Sequence, residues 1–241
     1  MNPKVSKREA LAIDKLVAHY ISNKSLFDRL ALNLATLFTE NNETSKLIHS
    51  VKWRVKDPVH LKDKLERKLL ECKERNITFD ITSTNLFEKI NDLAGVRILH
   101  LHTTQIGEID GKLKELLDHE LYNIVQGPFA RTWDDEYRTY FQNIGISTEE
   151  SKSLYTSVHY VVQPNHRTKY TAEIQVRTLA EELWGEVAHS INYPHPTASL
   201  ACREQIMVLA RITSSCTRLV DSLYKSRAEY QEIAGKDILK K

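Results

Sequence analysis

The chain is short of every residue type that would announce a special architecture. Its 241 residues hold only three cysteines, Cys72, Cys202 and Cys216, widely spaced and without a Cys-x-x-Cys pair. That spacing suggests neither a disulfide framework nor a zinc site, and the three read as small buried hydrophobes. Seven glycines and six prolines are too few for a collagenous or low-complexity chain. No Gly-x-Gly-x-x-Gly and no Walker loop occurs, which argues against a dinucleotide fold or a P-loop. No apolar run approaches the roughly 18 residues of a membrane span, and the first residues, Met1-Asn-Pro-Lys-Val-Ser-Lys-Arg-Glu9, lack the apolar stretch of a signal peptide. A cytoplasmic protein without membrane contact is expected. Charge is balanced, with 34 lysines and arginines against 32 acids, so any polyanion site must be local.

What is present is a globular composition, 41% hydrophobic and 27% charged, in a chain longer than the roughly 100 to 200 residues of an average domain. Leu16, Tyr20, Phe27, Leu30, Leu34, Leu37 and Phe38 recur mostly three and four apart, which predicts helix through most of 7–40. Asp57-Pro58 supplies an N-cap and a first-turn proline for a helix whose apolar stripe is Leu61, Leu65, Leu69 and Cys72. A strand over 95–101, a helix opened by Thr104 and a strand over 121–126 follow from the change of period. Residues 131–150 show no clear period and, between 134 and 150, carry five acids against Arg138, predicting a solvated loop or lid.

Two β runs, 155–163 and 169–178, joined by Pro164-Asn165-His166-Arg167, predict a hairpin. Thr178 with Glu181 reads as a capping box. The helix it opens holds Trp184 in its core face and ends at Tyr193-Pro194-His195-Pro196, and a last helix covers about 199–230. The expected fold is α+β, a mixed and mostly antiparallel central sheet flanked by N- and C-terminal helices. Residues 1–48 form the N-terminal helical region, 49–195 the core and 196–241 a C-terminal helical extension.

Alternation divides the hairpin into two faces. Val158, Tyr160, Val162, Ala172, Ile174 and Val176 make one, whereas Tyr155, Ser157, His159, Glu173, Gln175 and Arg177 make the other. A turn centred on His166 would pair His159 with Glu173, Ser157 with Gln175 and Tyr155 with Arg177. A solvent-facing antiparallel sheet is polar in the same way, so patterning leaves both an exposed face and a site open. Asp92, before the strand at 95–101, adds a carboxylate that a central sheet can bring near Glu173, and two carboxylates can share a Mg²⁺ that also takes phosphates. Between Lys52 and Lys68 there are seven basic residues against three acids, with Lys64 and Lys68 one helical turn apart. This is either a phosphate patch or a solvated helix face.

Five motifs stand in order: Arg54-x-Lys56 followed by Lys64, Asp92-Leu-Ala-Gly-Val-Arg97, Tyr155-x-Ser157-x-His159, Glu173-Ile-Gln-Val-Arg-Thr178 and Ala188-His189. Together, over about residues 50–193, they resemble the synthetase domain of the RelA/SpoT family of (p)ppGpp alarmone synthetases, with its nucleotidyltransferase-like fold. The resemblance implies transfer of pyrophosphate from ATP to the 3′-hydroxyl of GDP or GTP with Mg²⁺ as cofactor. It implies Asp92 and Glu173 as metal-binding acids, with Glu173 also taking the proton of the attacking hydroxyl and His159 supporting the phosphates or that base. Arg54 and Arg97 would sandwich adenine, and Lys56 and Lys64 would clamp phosphates. Tyr155 would stack on the acceptor base, with Ser157, Gln175 and Lys152 beside it.

No His-Asp dipeptide occurs, so the family's hydrolase module is not expected. Leu154 and Ser151 stand where the family has glycine and lysine, with Lys152 one position out of register. The acceptor therefore stays open. A toxin-type relative acting on the 3′ end of tRNA or on an adenosine nucleotide is the alternative, favoured by any basic track along Arg203, Arg211, Arg218, Lys225 and Arg227, and a non-catalytic nucleotide sensor is a third reading. Self-association into a homo-oligomer fits the apolar faces of the helical ends.

Overall fold

A computed structural model of the chain describes residues 4–151, 154–192 and 196–238. Helices α1 (Lys7–Ser22) and α2 (Lys24–Glu40) fulfil the first periodic run, and α1 opens on a capping box between Ser6 and Glu9. A short α3 (Thr44–Leu47) leads into β1 (Ser50–Val55). Asp57 then caps α4 (Pro58–Glu74) by accepting from the Val59 backbone N–H at 2.8 Å, as the Asp-Pro pair predicts. After α5 (Leu86–Lys89) come β2 (Ala94–His100), a 3-10 turn (Thr103–Gln105) and α6 (Ile106–His119). The remaining elements are β3 (Tyr122–Thr132), α7 (Asp135–Asn143), β4 (Ser147–Glu150), β5 (Ser157–Pro164), β6 (Ala172–Thr178), α8 (Leu179–Asn192) and α9 (Leu200–Ile238).

The strands form one mixed sheet in the order β1-β2-β6-β5-β3-β4. The β1–β2, β5–β6 and β3–β5 pairs are antiparallel, and β2–β6 and β3–β4 are parallel. One face carries Val96, Ile98, Val158, Tyr160, Val162, Ile174 and Val176 into a single apolar core with α1, α2, α4 and α6. Burying that much apolar surface is what stabilises the domain. The other face is polar towards one end, where the site lies, and is covered at the other by α8 and α9 through a small cluster of Trp184, Ile206 and Ala210. Among the described residues, no helix is long and apolar enough to cross a membrane.

Several expectations need correction. Residues 131–150 are not a loop: β3 runs on to Thr132, and α7 and β4 fill the rest. The signal was Asp134, which caps α7 by accepting from the Glu136 and Tyr137 backbone N–H groups, together with Tyr137 and Phe141, buried one turn apart. The hairpin register is shifted by two residues, so His159 lies opposite Gln175 and Val161 opposite Glu173. The strands end at Pro164 and resume at Ala172, which moves the turn's centre past His166, and an even shift preserves the two faces. Half of the capping box forms: Thr178 Oγ1 accepts from the Glu181 N–H at 3.2 Å, but the Glu181 carboxylate turns to the Thr156 N–H instead. The cysteines are not core residues, since Cys72 and Cys202 are half-buried and Cys216 is exposed on the outer side of α9. Helix α8 ends at Asn192, and Tyr193, Pro194 and His195 lie outside the described residues.

Candidate active site

Strand register builds the site in two rows across the polar face. In one, Arg54 pairs with Gly95, Gly95 with Glu173 and Glu173 with Val161. In the next, Lys52 pairs with Arg97, Arg97 with Gln175, Gln175 with His159 and His159 with Phe129. Alternation sends these side chains to the same side. Gly95 leaves the middle of the first row bare, and the Arg54 side chain passes 3.8 Å from where a Cβ on Gly95 would sit. Gly127, at φ +94°, has its α-carbon so close to the His159 carbonyl that a Cβ would fall 2.4 Å from that oxygen. There β3 shifts register twice, and the strand past the bulge brings Phe129 and Arg131 to the cleft.

Two adjoining cavities open on this face. The first is lined by Lys52, Trp53, Arg54, Asp92, Arg97, Glu173, Gln175 and Glu186. The second is lined by Arg54, Lys64, Lys68, Lys89, Asp92, Arg131, Tyr155, His159, Glu173 and Gln175, among others. Arg54, Asp92, Glu173 and Gln175 belong to both. Two chambers therefore meet at two carboxylates.

Asp92 receives a hydrogen bond from Lys56 Nζ at 2.7 Å, and Lys64 Nζ forms an ion pair with its other oxygen at 2.8 Å. Burial pushes the Asp92 carboxyl up, but Lys64 and Lys56 outweigh it and bring it down to about 2. Burial also lowers Lys56, against the attraction of Asp92. Glu173 is pushed up by burial, yet the hydrogen bond and charge of His159 hold it below the usual carboxylate range. His159 Nδ1 lies 2.9 Å from Glu173 Oε1 and donates to it, while Gln175 Nε2 donates to Oε2 at 3.0 Å. The ring of His159 is stacked on Phe129 at 5.3 Å, and its Nε2 is buried without a protein partner among the described residues. Both acids are thus ionised at neutral pH and held in place.

The structure brings most of the sequence-predicted residues together. Arg54 and Arg97 line the first cavity, with Arg97 paired to Glu182 at 3.4 Å and to Glu186. Tyr155 precedes β5 rather than lying in it. Its hydroxyl donates to Gln175 Oε1 at 3.3 Å, and its ring meets His159 at 5.8 Å and Trp184 at 6.4 Å. Ser157 stays beside Tyr155, whose hydroxyl it meets, but it is buried behind the cleft: its hydroxyl donates to the Val176 carbonyl at 3.3 Å, and it lines a separate small cavity beside Thr178 and Thr217. Lys152 lies outside the described residues. Arg177 is buried against Glu182 as a structural pair. His189, near the end of α8, is lowered by burial and then by Arg54. The basic track on α9 is interrupted, because Arg218 is paired with Asp134 and Glu136.

Sequence reasoning missed Glu182, Glu186, Lys89, Phe129 and Arg131. The first two are one turn apart on α8, a spacing that marks one helix face. Phe129 and Arg131 lie beyond Gly127-Pro128, which reads as turn chemistry but is a bulge within β3.

Among the described residues no cluster of three or more histidines, cysteines or acids forms a closed metal cage. Two hard carboxylates on an open cleft instead suit an ion that keeps waters or takes phosphate oxygens, as Mg²⁺ does.

Comparison with known proteins agrees with this geometry. The chain is 30% identical over 187 residues to the GTP pyrophosphokinase YwaC of Bacillus subtilis strain 168, covering 74% of this chain and 78% of that one. The solved structure of a GTP pyrophosphokinase family protein from Streptococcus pneumoniae superposes with a TM-score of 0.59 at 22% identity, covering 91% and 96% of the two chains. The small alarmone synthetase 1 of Bacillus subtilis bound to its product pppGpp gives a TM-score of 0.55 at 22% identity, covering 90% and 97%. Residues 53–198 match the family described as the region found in RelA / SpoT proteins. With that match spanning more than half of its length, the chain belongs to the RelA/SpoT family.

Proposed function

We propose that this chain is a cytoplasmic (p)ppGpp synthetase, transferring pyrophosphate from ATP to the 3′-hydroxyl of GDP or GTP. The observation that carries the reading is the meeting of two cavities at Asp92 and Glu173. A two-nucleotide reaction needs a donor chamber and an acceptor chamber with the reacting atoms between them. The identity to a GTP pyrophosphokinase supports the same reading.

In the donor chamber, the guanidinium faces of Arg54 and Arg97 hold adenine. Lys56 and Lys64 exchange Asp92 for the phosphates when ATP enters. The acceptor 3′-oxygen attacks the β-phosphorus of ATP, the bond from that phosphorus to the α–β bridging oxygen breaks, and AMP leaves with the oxygen. Glu173, ionised and oriented by His159 and Gln175, takes the hydroxyl proton. Asp92 and Glu173 would hold Mg²⁺, whose charge offsets that of the transferred phosphates. On the acceptor side, Tyr155 offers a ring to the base, while Lys68, Lys89 and Arg131 supply positive charge. Leu154 adopts φ +54°, in the left-handed region where the family's glycine is unstrained. The leucine side chain packs on the Trp184 cluster.

The test is a transfer assay with Mg²⁺ and ATP labelled at the γ-phosphate, offered GDP, GTP, AMP, ATP and deacylated tRNA in parallel. Label on GDP or GTP is the expected result. Label only on tRNA or an adenosine nucleotide, or on none, overturns it.

A further inference from the structure

Tyr155 stands ahead of β5 and outside the sheet ladder, its backbone N–H donating to Ser151 Oγ at 3.3 Å. Side chains must therefore set its ring. The Arg177 guanidinium lies over that ring, 5.6 Å from its centre, while Trp184 packs at 6.4 Å and His159 meets it edge-on at 5.8 Å. Arg177 itself, on β6, is only 5% exposed, and a cation taken out of water needs partners. One of its terminal nitrogens pairs with Glu182, a carboxylate that also receives Lys52 at 2.8 Å and Arg97 at 3.4 Å. Its Nε is buried without a hydrogen-bond partner among the described residues. Hydrogen bonds thus meet only part of what the buried guanidinium can offer, and the face of Tyr155 is the further partner it reaches.

Helix α8 makes the room for this. Gly185 follows Glu182 by three residues and so shares its helix face. A Cβ at Gly185 would fall 2.7 Å from Arg177 Nη1 and 3.3 Å from Cζ. Glycine inside a helix is less favourable than alanine, and here the space it leaves is filled by the guanidinium. We propose that Arg177, admitted by Gly185 and tied by Glu182, is a positioning residue of acceptor recognition: it braces one face of the Tyr155 ring so that the other is offered to the acceptor base. This rests on the reading of Tyr155 as the ring on which that base stacks. A ring already held in place has less freedom to lose when the base arrives, which favours binding without any new contact to the ligand.

Gly185→Ala is the probe, because the atoms in its way are the end of a side chain, which can shift while the helix gains a better former. Fluorotyrosine placed at position 155 of the full chain reports the ring directly by fluorine NMR. Its resonance should move by more than its linewidth in Gly185→Ala, whereas fluorotyrosine at position 170 should not respond. Arg177→Lys, which keeps a charge for Glu182 and gives up the planar face, should move the position-155 resonance as well. In transfer assays Gly185→Ala should raise the KM of GDP at least about fivefold and leave that of ATP within about twofold, since Lys52 still holds Glu182 on the donor side. In a Tyr155→Ala background the same change should alter the GDP KM by less than about twofold, because the ring it acts through is gone. An unmoved position-155 resonance in both variants, a GDP KM like that of the wild type, an equal rise for ATP, or effects that multiply in the double variant would each overturn the proposal. Absence of any transfer to GDP by the wild type would strike the functional reading instead, and the fluorine resonance alone would then decide whether Arg177 seats the ring.

Discussion

Glu173 occupies the point where the two cavities meet, and its partners decide what it can do. Buried among protein groups it would tend to hold a proton, but the hydrogen bond and charge of His159 hold it ionised. A carboxylate in that state is a base for the acceptor hydroxyl. Glu173→Gln keeps the size of the side chain and removes the basicity, so transfer should fall at least about a hundredfold. Calorimetric titration with a non-hydrolysable ATP analogue in the absence of Mg²⁺ should change less than about threefold. Near-normal turnover would remove Glu173 from the reaction. Tyr155 lies on the acceptor side only. Stacking a base on an aromatic ring is worth roughly 1–3 kcal/mol, so Tyr155→Ala should raise the acceptor KM by roughly five- to a hundredfold and leave the ATP KM within about twofold. Equal effects on both substrates would defeat the stacking assignment.

Among the elements, α7 and α9 are joined through one buried side chain. Asp134 caps α7, accepts from Ser214 Oγ at 3.2 Å and pairs with Arg218. Its loss removes a cap worth about 1 kcal/mol and strands polar groups that relied on it, so Asp134→Ala should lower unfolding stability by about 2–3 kcal/mol. Urea denaturation measures this, and a loss below about 0.5 kcal/mol would mean that neighbouring groups replace the cap. The same residue shows what could be read from the chain. The amphipathic helices and the two faces of the hairpin were legible because periods of 3.6 and 2 survive any context. Residues 131–150 hid a helix because its acids, Asp134, Asp135 and Glu136, act as cap and first turn rather than as a solvated tract. The two-residue error in register arose from a loop whose centre local turn chemistry does not define. Asp92, Arg54, Arg97 and Tyr155 were legible through their motifs. Glu182, Glu186 and Arg131 were not, since docking of α8 over β2 and a bulge in β3 bring them in.

For the molecule as a whole, two buried groups act on the pH dependence of stability in opposite senses. Burial raises Glu181 to about 7 and lowers His100 to about 4. An unfolded glutamate ionises near 4.5, so between that pH and about 7 the unfolded state loses a proton that the folded state keeps. Folding therefore loses stability as pH rises through that window, by roughly 3 kcal/mol in all. His100 works the other way: unfolded it takes a proton near 6.5, folded only near 4, so stability falls as pH drops between those values. Over their shared window the two oppose each other, and the wild type should be nearly flat there in respect of both. Glu181→Gln keeps an acceptor for the Thr156 N–H and removes the ionisation. Relative to wild type, this variant should show almost no difference near pH 4.5 and be more stable by up to roughly 3 kcal/mol at pH 8. Chemical denaturation of both proteins across that range isolates Glu181, because the His100 contribution is common to the pair. A stability difference that does not grow with pH would show that the carboxyl at position 181 titrates alike in the folded and unfolded chains.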